Sequence, residues 1–257
     1  MDNDSTHQTG WLFSPFLFTV FIAVLAVTWA VMPPETLMNY FDQDGYSPFE
    51  LATLPFFALI IPAVWILRPF GGSRKRQIAL SAMVTLVTAM AIIKEMDLHN
   101  ATLHLLYPDF VMRDGSLAPG LVKPNGSPLT GTPFKMRVLT NPGIPAGMKA
   151  AISLYFAAFF GVFAAGFVYL LPSWIKGVLS LRPDAWSIGC FGASGVLVQI
   201  SDRFPSWVKH TTGEKMATLD GTANAARSLC TALEEGGEMM IAIFALVAIY
   251  QAGRAKK

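Results

Sequence analysis

Residues 11–32 read WLFSPFLFTVFIAVLAVTWAVM, an apolar run without one charged residue. A helix of about 20 mostly apolar residues crosses the roughly 30 Å hydrocarbon core of a bilayer. The run is longer than the apolar part of a signal peptide, and no Lys or Arg precedes it. We therefore predict a retained membrane helix here.

The composition of the whole chain supports a membrane protein. Of its 257 residues, 53% are hydrophobic and 14% are charged, and the mean hydropathy is +0.46. A soluble domain is usually about 25% charged. The net charge of +2 comes without a strongly basic face, and the two cysteines form no CxxC pair. These values exclude a soluble enzyme, a disordered chain, a disulfide framework and a nucleic-acid-binding protein.

Five further apolar stretches qualify or nearly qualify as membrane helices, although the fifth is short and rich in glycine and the sixth carries three glutamates. We predict an all-α integral membrane protein, in which residues 1–257 form one polytopic domain with six transmembrane helices. Two longer segments between these helices, 100–147 and 201–227, are predicted to be non-cytoplasmic. Turn signals fill the first of these, and its start, 101–111, is predicted to be an amphipathic helix. The six helices are predicted at residues 11–32, 51–67, 78–99, 150–171, 186–200 and 229–250.

Basic residues predict the orientation of the chain. The short segment between the second and third apolar stretches carries Arg68, Arg74, Lys75 and Arg76, whereas residues 33–49 contain no Lys or Arg. Because basic residues collect in short cytoplasmic loops, both termini are predicted to be cytoplasmic. We expect the plasma (inner) membrane as the location and membrane lipid as a partner. A protein partner is expected to dock on the 100–147 loop.

The last apolar stretch begins with three glutamates, in the sequence LEEGGEM at 233–239. Glu234 and Glu238 are four residues apart on one helix face, at a depth where a carboxylate must be protonated, paired or hydrated. Gly236 and Gly237 lack side-chain bulk and are expected to admit another helix or a ligand closely. Two alternatives are a helix that begins later, with the glutamates at the interface, and a purely structural salt-bridge network.

The third apolar stretch ends in KEMDLHN at 94–100. On one continuous helix Glu95 and His99 share a face, opposite Asp97 and His104, so the first pair can chelate one ion. Together with Glu234 and Glu238 they give a mixed nitrogen and oxygen set suited to Zn, Mn or Fe. A solvated helix end is the alternative. The additional candidate metal ligands are Glu50, Asp97, His104 and Glu235.

Two other patterns predict local structure. Ser47 and Glu50 fit a helix capping box with Pro48 at the first helical position. The acids Asp42 and Asp44 resemble part of a calcium loop, but the spacing of the full motif fails. In the fifth stretch, the glycines at 189, 192 and 195 predict close helix packing.

These candidates favour an enzyme whose site lies at the non-cytoplasmic face. The predicted activity is metal-dependent or acid–base hydrolysis of a lipid or lipid-linked substrate, with Glu95, His99, Glu234 and Glu238 as catalytic and metal-binding residues. Two alternatives remain open. One is a non-catalytic membrane subunit or scaffold, and the other is a small proton- or ion-coupled transporter, for which the sequence offers no internal repeat.

Overall fold

The computed structural model describes residues 10–41, 47–212 and 222–255, and this part of the chain is all-helical. Helix accounts for 78% of the structure, and no strand occurs in the part described. A short 3₁₀ turn, Gly10–Leu12, leads into the first α-helix. The α-helices are α1 (Phe13–Val31), α2 (Pro34–Phe41), α3 (Pro48–Leu67), α4 (Arg74–Glu95), α5 (Leu98–Leu106), α6 (Met136–Leu139), α7 (Ala146–Leu179), α8 (Pro183–Thr212) and α9 (Thr222–Arg254).

Among the described residues, four helical stretches are long and apolar enough to cross a membrane. They are Gly10–Val31, Pro48–Leu67, Arg74–Glu95 and Ala146–Leu179. Little of each stretch is buried by protein, from 22% in the second and third to 6% in the fourth. Outward-facing apolar side chains of this kind fit a lipid environment, in which the surroundings are as apolar as the side chains.

The predicted number of six membrane spans is not supported. Helices occur where the fifth and sixth spans were predicted, but they are longer, at 30 residues for α8 and 33 for α9. Both mix apolar runs with charged residues, such as Asp202 and Arg203 in α8. Helix α9 is also well packed by protein, with Met240 and Phe244 almost fully buried. An apolar run in the sequence does not distinguish burial by protein from burial by lipid.

Contacts between residues divide the chain into two compact units. The first unit comprises Met1–Thr85 and Leu170–Lys257, and the second comprises Leu86–Tyr169. In the first unit, α9 is the central helix and packs against α8, α3, α2 and α1. Helix α2 was not predicted, although Leu37 and Phe41 bury its inner face at helical spacing.

Glycines allow α9 to approach its neighbours closely, as the sequence predicts. A Cβ atom on Gly236 would collide with Leu25 of α1, and one on Gly237 would lie 2.5 Å from Cγ2 of Val198 on α8. The prediction for α8 is wrong. The glycines at 189, 192 and 195 have nothing within 4 Å of the position of a Cβ. Spacing alone did not reveal which face of α8 meets a neighbour.

The second unit contains a folded segment where the sequence predicts a long loop. Residues 107–145 make two isolated antiparallel bridges, Val111 with Leu117 and Val122 with Pro128, and the short helix α6. Its apolar side chains pack with those of α5 and of the start of α7. The core consists of Leu103, Val111, Leu117, Leu129, Val138, Ile144, Met148 and Ile152. The amphipathic helix is present, but it spans Leu98–Leu106 rather than 101–111.

Candidate functional site

The glutamates of the first unit lie inside a helix rather than at its beginning. Helix α9 starts at Thr222, so Glu234, Glu235 and Glu238 lie several turns into it, which excludes the reading that places them at a helix N-terminus. All three are partly buried. Carboxylate oxygens of Glu235 and Glu238 lie within 4.8 Å of each other. Their i, i+3 spacing accounts for this, because residues three apart share one face of a helix.

Contacts with α1 give the level of these carboxylates along the helix bundle. Gly236 lies against Leu25, and the indole Nε1 of Trp29 donates a 2.9 Å hydrogen bond to the carbonyl oxygen of Ala225. Six residues separate Leu25 from Val31, the end of α1, which corresponds to about 9 Å of helix rise. Glu235 and Glu238 are therefore at about the level of Leu25 along α1, a short distance from the C-terminal end of that candidate span.

The other end of α9 is fixed against α3 and α8. A Cβ on Gly253 would lie 2.9 Å from both the Cβ and the carbonyl oxygen of Leu67, the last residue of α3. The buried hydroxyl of Ser187 contacts Gln251 Oε1 at 2.6 Å and Ser14 Oγ at 2.6 Å. Rigid packing at both ends of α9 holds its glutamates at one level, which favours a preorganised site.

In the second unit, the helix carrying Glu95 ends before His99. Helix α4 ends at Glu95, Asp97 adopts a left-handed conformation with φ of 50°, and α5 begins at Leu98. The predicted i, i+4 pairing of Glu95 and His99 on one helix face is therefore wrong, as is the shared face of Asp97 and His104. Both pairings require one continuous helix over 78–99, and the sequence has no proline or glycine that would signal the break.

His99 lies in an aromatic environment that the sequence did not reveal. Its ring stacks on Tyr155 with centroids 5.8 Å apart and meets Phe134 edge-on at 4.6 Å. Burial lowers the pKa of His99, because desolvation disfavours the charged imidazolium. Nδ1 lies 3.4 Å from the carbonyl oxygen of Ile93. With the proton on Nδ1 directed at that carbonyl, the lone pair is on Nε2, the usual arrangement of a metal-binding or basic histidine.

Three other candidate residues of this unit, Glu95, Asp97 and His104, have structural partners. Glu95 pairs with Lys94 at 3.0 Å, and its side chain is only 6% exposed. Asp97 Oδ1 accepts a hydrogen bond from the side-chain amide of Asn100 at 3.1 Å. His104 Nδ1 lies 2.6 Å from the carbonyl oxygen of Val111. These contacts fix the turn and the folded segment, and they favour structural roles for Asp97 and His104.

Glu50 occupies the capping box that the sequence predicts. Its backbone N–H donates to Ser47 Oγ at 3.1 Å, and its Oε2 accepts from the backbone N–H of Ser47 at 2.7 Å. Pro48 is at the start of the helix, as expected. The capping role accounts for Glu50 without a metal. Asp42 and Asp44 lie outside the described residues.

Sequence reasoning missed Phe134 and Tyr155 because they are distant from His99 along the chain. Phe134 belongs to the segment predicted as a loop, and Tyr155 to α7, predicted as an ordinary membrane helix. The folded core of the second unit brings both rings to His99. A pattern within one segment cannot reveal contacts of this kind.

No family model, curated protein or solved structure matches this chain.

Proposed function

We propose that this membrane protein binds a divalent cation through the glutamates of α9 and uses it to hydrolyse a lipid or lipid-linked substrate. The observation that carries the proposal is the approach of Glu235 and Glu238, whose carboxylate oxygens lie within 4.8 Å of each other. Two carboxylates at this separation can bind one ion between them, and Zn, Mn and Fe accept such oxygen ligands. Glu234, on the same helix, supplies a further carboxylate.

His99 and Glu95 complete the proposed set on the basis of the sequence. The orientation of Nδ1 toward the Ile93 carbonyl supports a neutral His99 that offers Nε2 to an ion or to a proton. Glu95 supplies a carboxylate. A bound cation would lower the pKa of a water ligand toward neutrality, which makes hydroxide available for attack on an ester or phosphoester.

The proposed location is the plasma membrane, with both termini cytoplasmic. The basic segment between α3 and α4 supports this orientation, because Arg68, Arg74 and Lys75 are exposed there. With the N-terminus inside, the C-terminal end of α1 is non-cytoplasmic. Gly236, next to Glu235 in the same helix, packs on Leu25, so these glutamates then lie about 9 Å below the outer end of that span. A lipid headgroup in the outer leaflet is within reach of such a site.

The activity is tested with purified protein in vesicles that contain phospholipids labelled in the headgroup. We expect release of the label, loss of the activity with a chelator, and recovery with added Zn, Mn or Fe. Glu238→Gln and Glu235→Gln should each reduce the rate at least about 10-fold, since loss of even an indirect metal contact has effects of this size. Glu35→Gln, an exposed acid at the start of α2, is the matched control and should keep the wild-type rate.

A headgroup-release rate that resists both the chelator and the α9 variants contradicts the proposed mechanism. A complete lack of hydrolysis across phospholipid and lipid-linked phosphate substrates, by protein that carries the ion, contradicts the proposed activity.

A further inference from the structure

Helix α5 of the second unit exposes apolar side chains on the face opposite its core contacts. Asn100 and Leu103 are buried against the folded segment. The outer face carries Leu98 and Leu105, and Leu105 is 80% exposed, with the adjacent Leu106 at 59%. Leu98 and Leu105 are seven residues apart, so they lie in one line along the helix. Water is an unfavourable environment for such a line of leucines.

The chain connection places α5 at a membrane boundary. Helix α4, one of the four candidate spans, ends at Glu95, and α5 begins at Leu98. A link of so few residues reaches no more than about 10 Å. The left-handed backbone at Asp97 breaks the helix between them. Helix α5 therefore begins within one turn of the point where a span ends, yet is not a continuation of that span.

The exposed face is too small for a stable protein interface by itself. A helix of nine residues is about 13 Å long, which offers on the order of 150 Å² on one side. A stable interface usually needs about 800 Å² from each partner. A bilayer has no such minimum, because each leucine that enters it is removed from water independently of any partner's shape.

We propose that α5 lies in the membrane interface, with Leu98, Leu105 and Leu106 inserted at the boundary between lipid headgroups and acyl chains. The inner face of the helix stays packed on the core of the second unit. The helix thereby anchors the folded segment 107–145 to the bilayer surface. This inference does not depend on the proposed hydrolytic activity.

The test uses a fluorophore sensitive to polarity on Leu105→Cys, in full-length protein that also carries Cys190→Ala and Cys230→Ala. The protein is reconstituted in phosphatidylcholine vesicles, with some lipids brominated at a shallow or a deep position of the chain. We expect blue-shifted emission and stronger quenching by the shallow bromines. The label on Leu98→Cys should show the same blue shift and the same quenching pattern. Asn125→Cys, at an exposed turn of the same unit, is the matched control and should show neither effect.

The proposal would be overturned if the labels on Leu105→Cys and Leu98→Cys emitted like the label on the Asn125→Cys control. The outer face of α5 would then be in water. A disulfide between two copies through Leu105→Cys, without quenching by lipid bromine, would also overturn it in favour of a contact between copies. If one of the two α5 variants fails to fold, the other still tests the proposal.

Discussion

At the scale of single residues, the surroundings of each side chain distinguish residues with a structural role from candidates for metal binding or catalysis. Glu50 and His104 have local partners that account for them. His99 is different, because aromatic rings surround it and a carbonyl oxygen orients one ring nitrogen. Its residue type was identified from the sequence, but its surroundings come from residues far away in the chain. Glu238 was also identified, whereas its approach to Glu235 was not.

The capping box predicts a difference between two substitutions at Glu50. Glu50→Ala removes the acceptor for the Ser47 backbone N–H and should lower the free energy of unfolding by about 1 kcal/mol. Glu50→Gln keeps an acceptor at the same position, so its cost should be much smaller. Thermal or denaturant unfolding in detergent measures both. Equal losses in the two variants would contradict a capping role.

The environment of His99 predicts a pH dependence of stability. Its pKa is lower in the folded protein than the unfolded value of about 6.5, so the unfolded chain binds more protons between the two values. The contribution of neutral His99 to the free energy of unfolding is fully present above the pKa of the unfolded chain. It is lost as the pH falls through the lower pKa of the folded protein. Unfolding of the wild type and of His99→Phe at pH 7.5 and pH 5 measures this.

The His99→Phe variant should lose less stability on acidification than the wild type, because phenylalanine has no proton to bind. An identical loss in both proteins would show that His99 titrates normally.

At the scale of helices, the apolar stretches predicted where helices lie, but not how each is buried. The first two helix predictions, 11–32 and 51–67, agree closely with α1 and α3. Patterns of hydrophobicity detect such helices because both lipid and a protein core select apolar side chains. The same ambiguity produced six predicted spans, and the break at Asp97 was missed because nothing local in the sequence signals it.

The glycines of α8 and α9 predict opposite responses to alanine. In Gly237→Ala the new Cβ would lie 2.5 Å from Cγ2 of Val198, a stiff side chain, so we expect a loss of roughly 1–3 kcal/mol. Gly192→Ala is the matched control, because nothing lies within 4 Å of its Cβ position. It should be neutral or stabilising by up to about 1 kcal/mol. Melting temperatures in detergent distinguish the two, and an equal shift would contradict the packing of α9.

At the scale of the whole molecule, composition determined the class of protein and geometry determined the best candidate site. An all-helical chain with several candidate spans follows from the apolar composition. The folded core of the second unit does not, because its members come from α5, the 107–145 segment and α7. Such long-range packing has no signature in one segment of sequence.

The proposed orientation predicts which cysteines a membrane-impermeant reagent can reach in intact cells. In a background lacking Cys190 and Cys230, Asn125→Cys should be labelled from outside. Ser73→Cys, in the basic segment between α3 and α4, should be labelled only after the cells are opened. Both positions are exposed, so accessibility to water does not limit the reaction. Labelling of Ser73→Cys in intact cells would contradict the proposed orientation and indicate the opposite one.

Metal content of the purified protein, measured by mass spectrometry after removal of loosely bound ions, tests the central claim most directly. We predict close to one Zn, Mn or Fe per chain in the wild type and in Glu35→Gln. Glu235→Gln and Glu238→Gln should lose the ion, and so should Glu95→Gln and His99→Ala, because these two residues complete the proposed ligand set. Wild-type protein without a stoichiometric ion, or α9 variants that retain it, would contradict the proposed site.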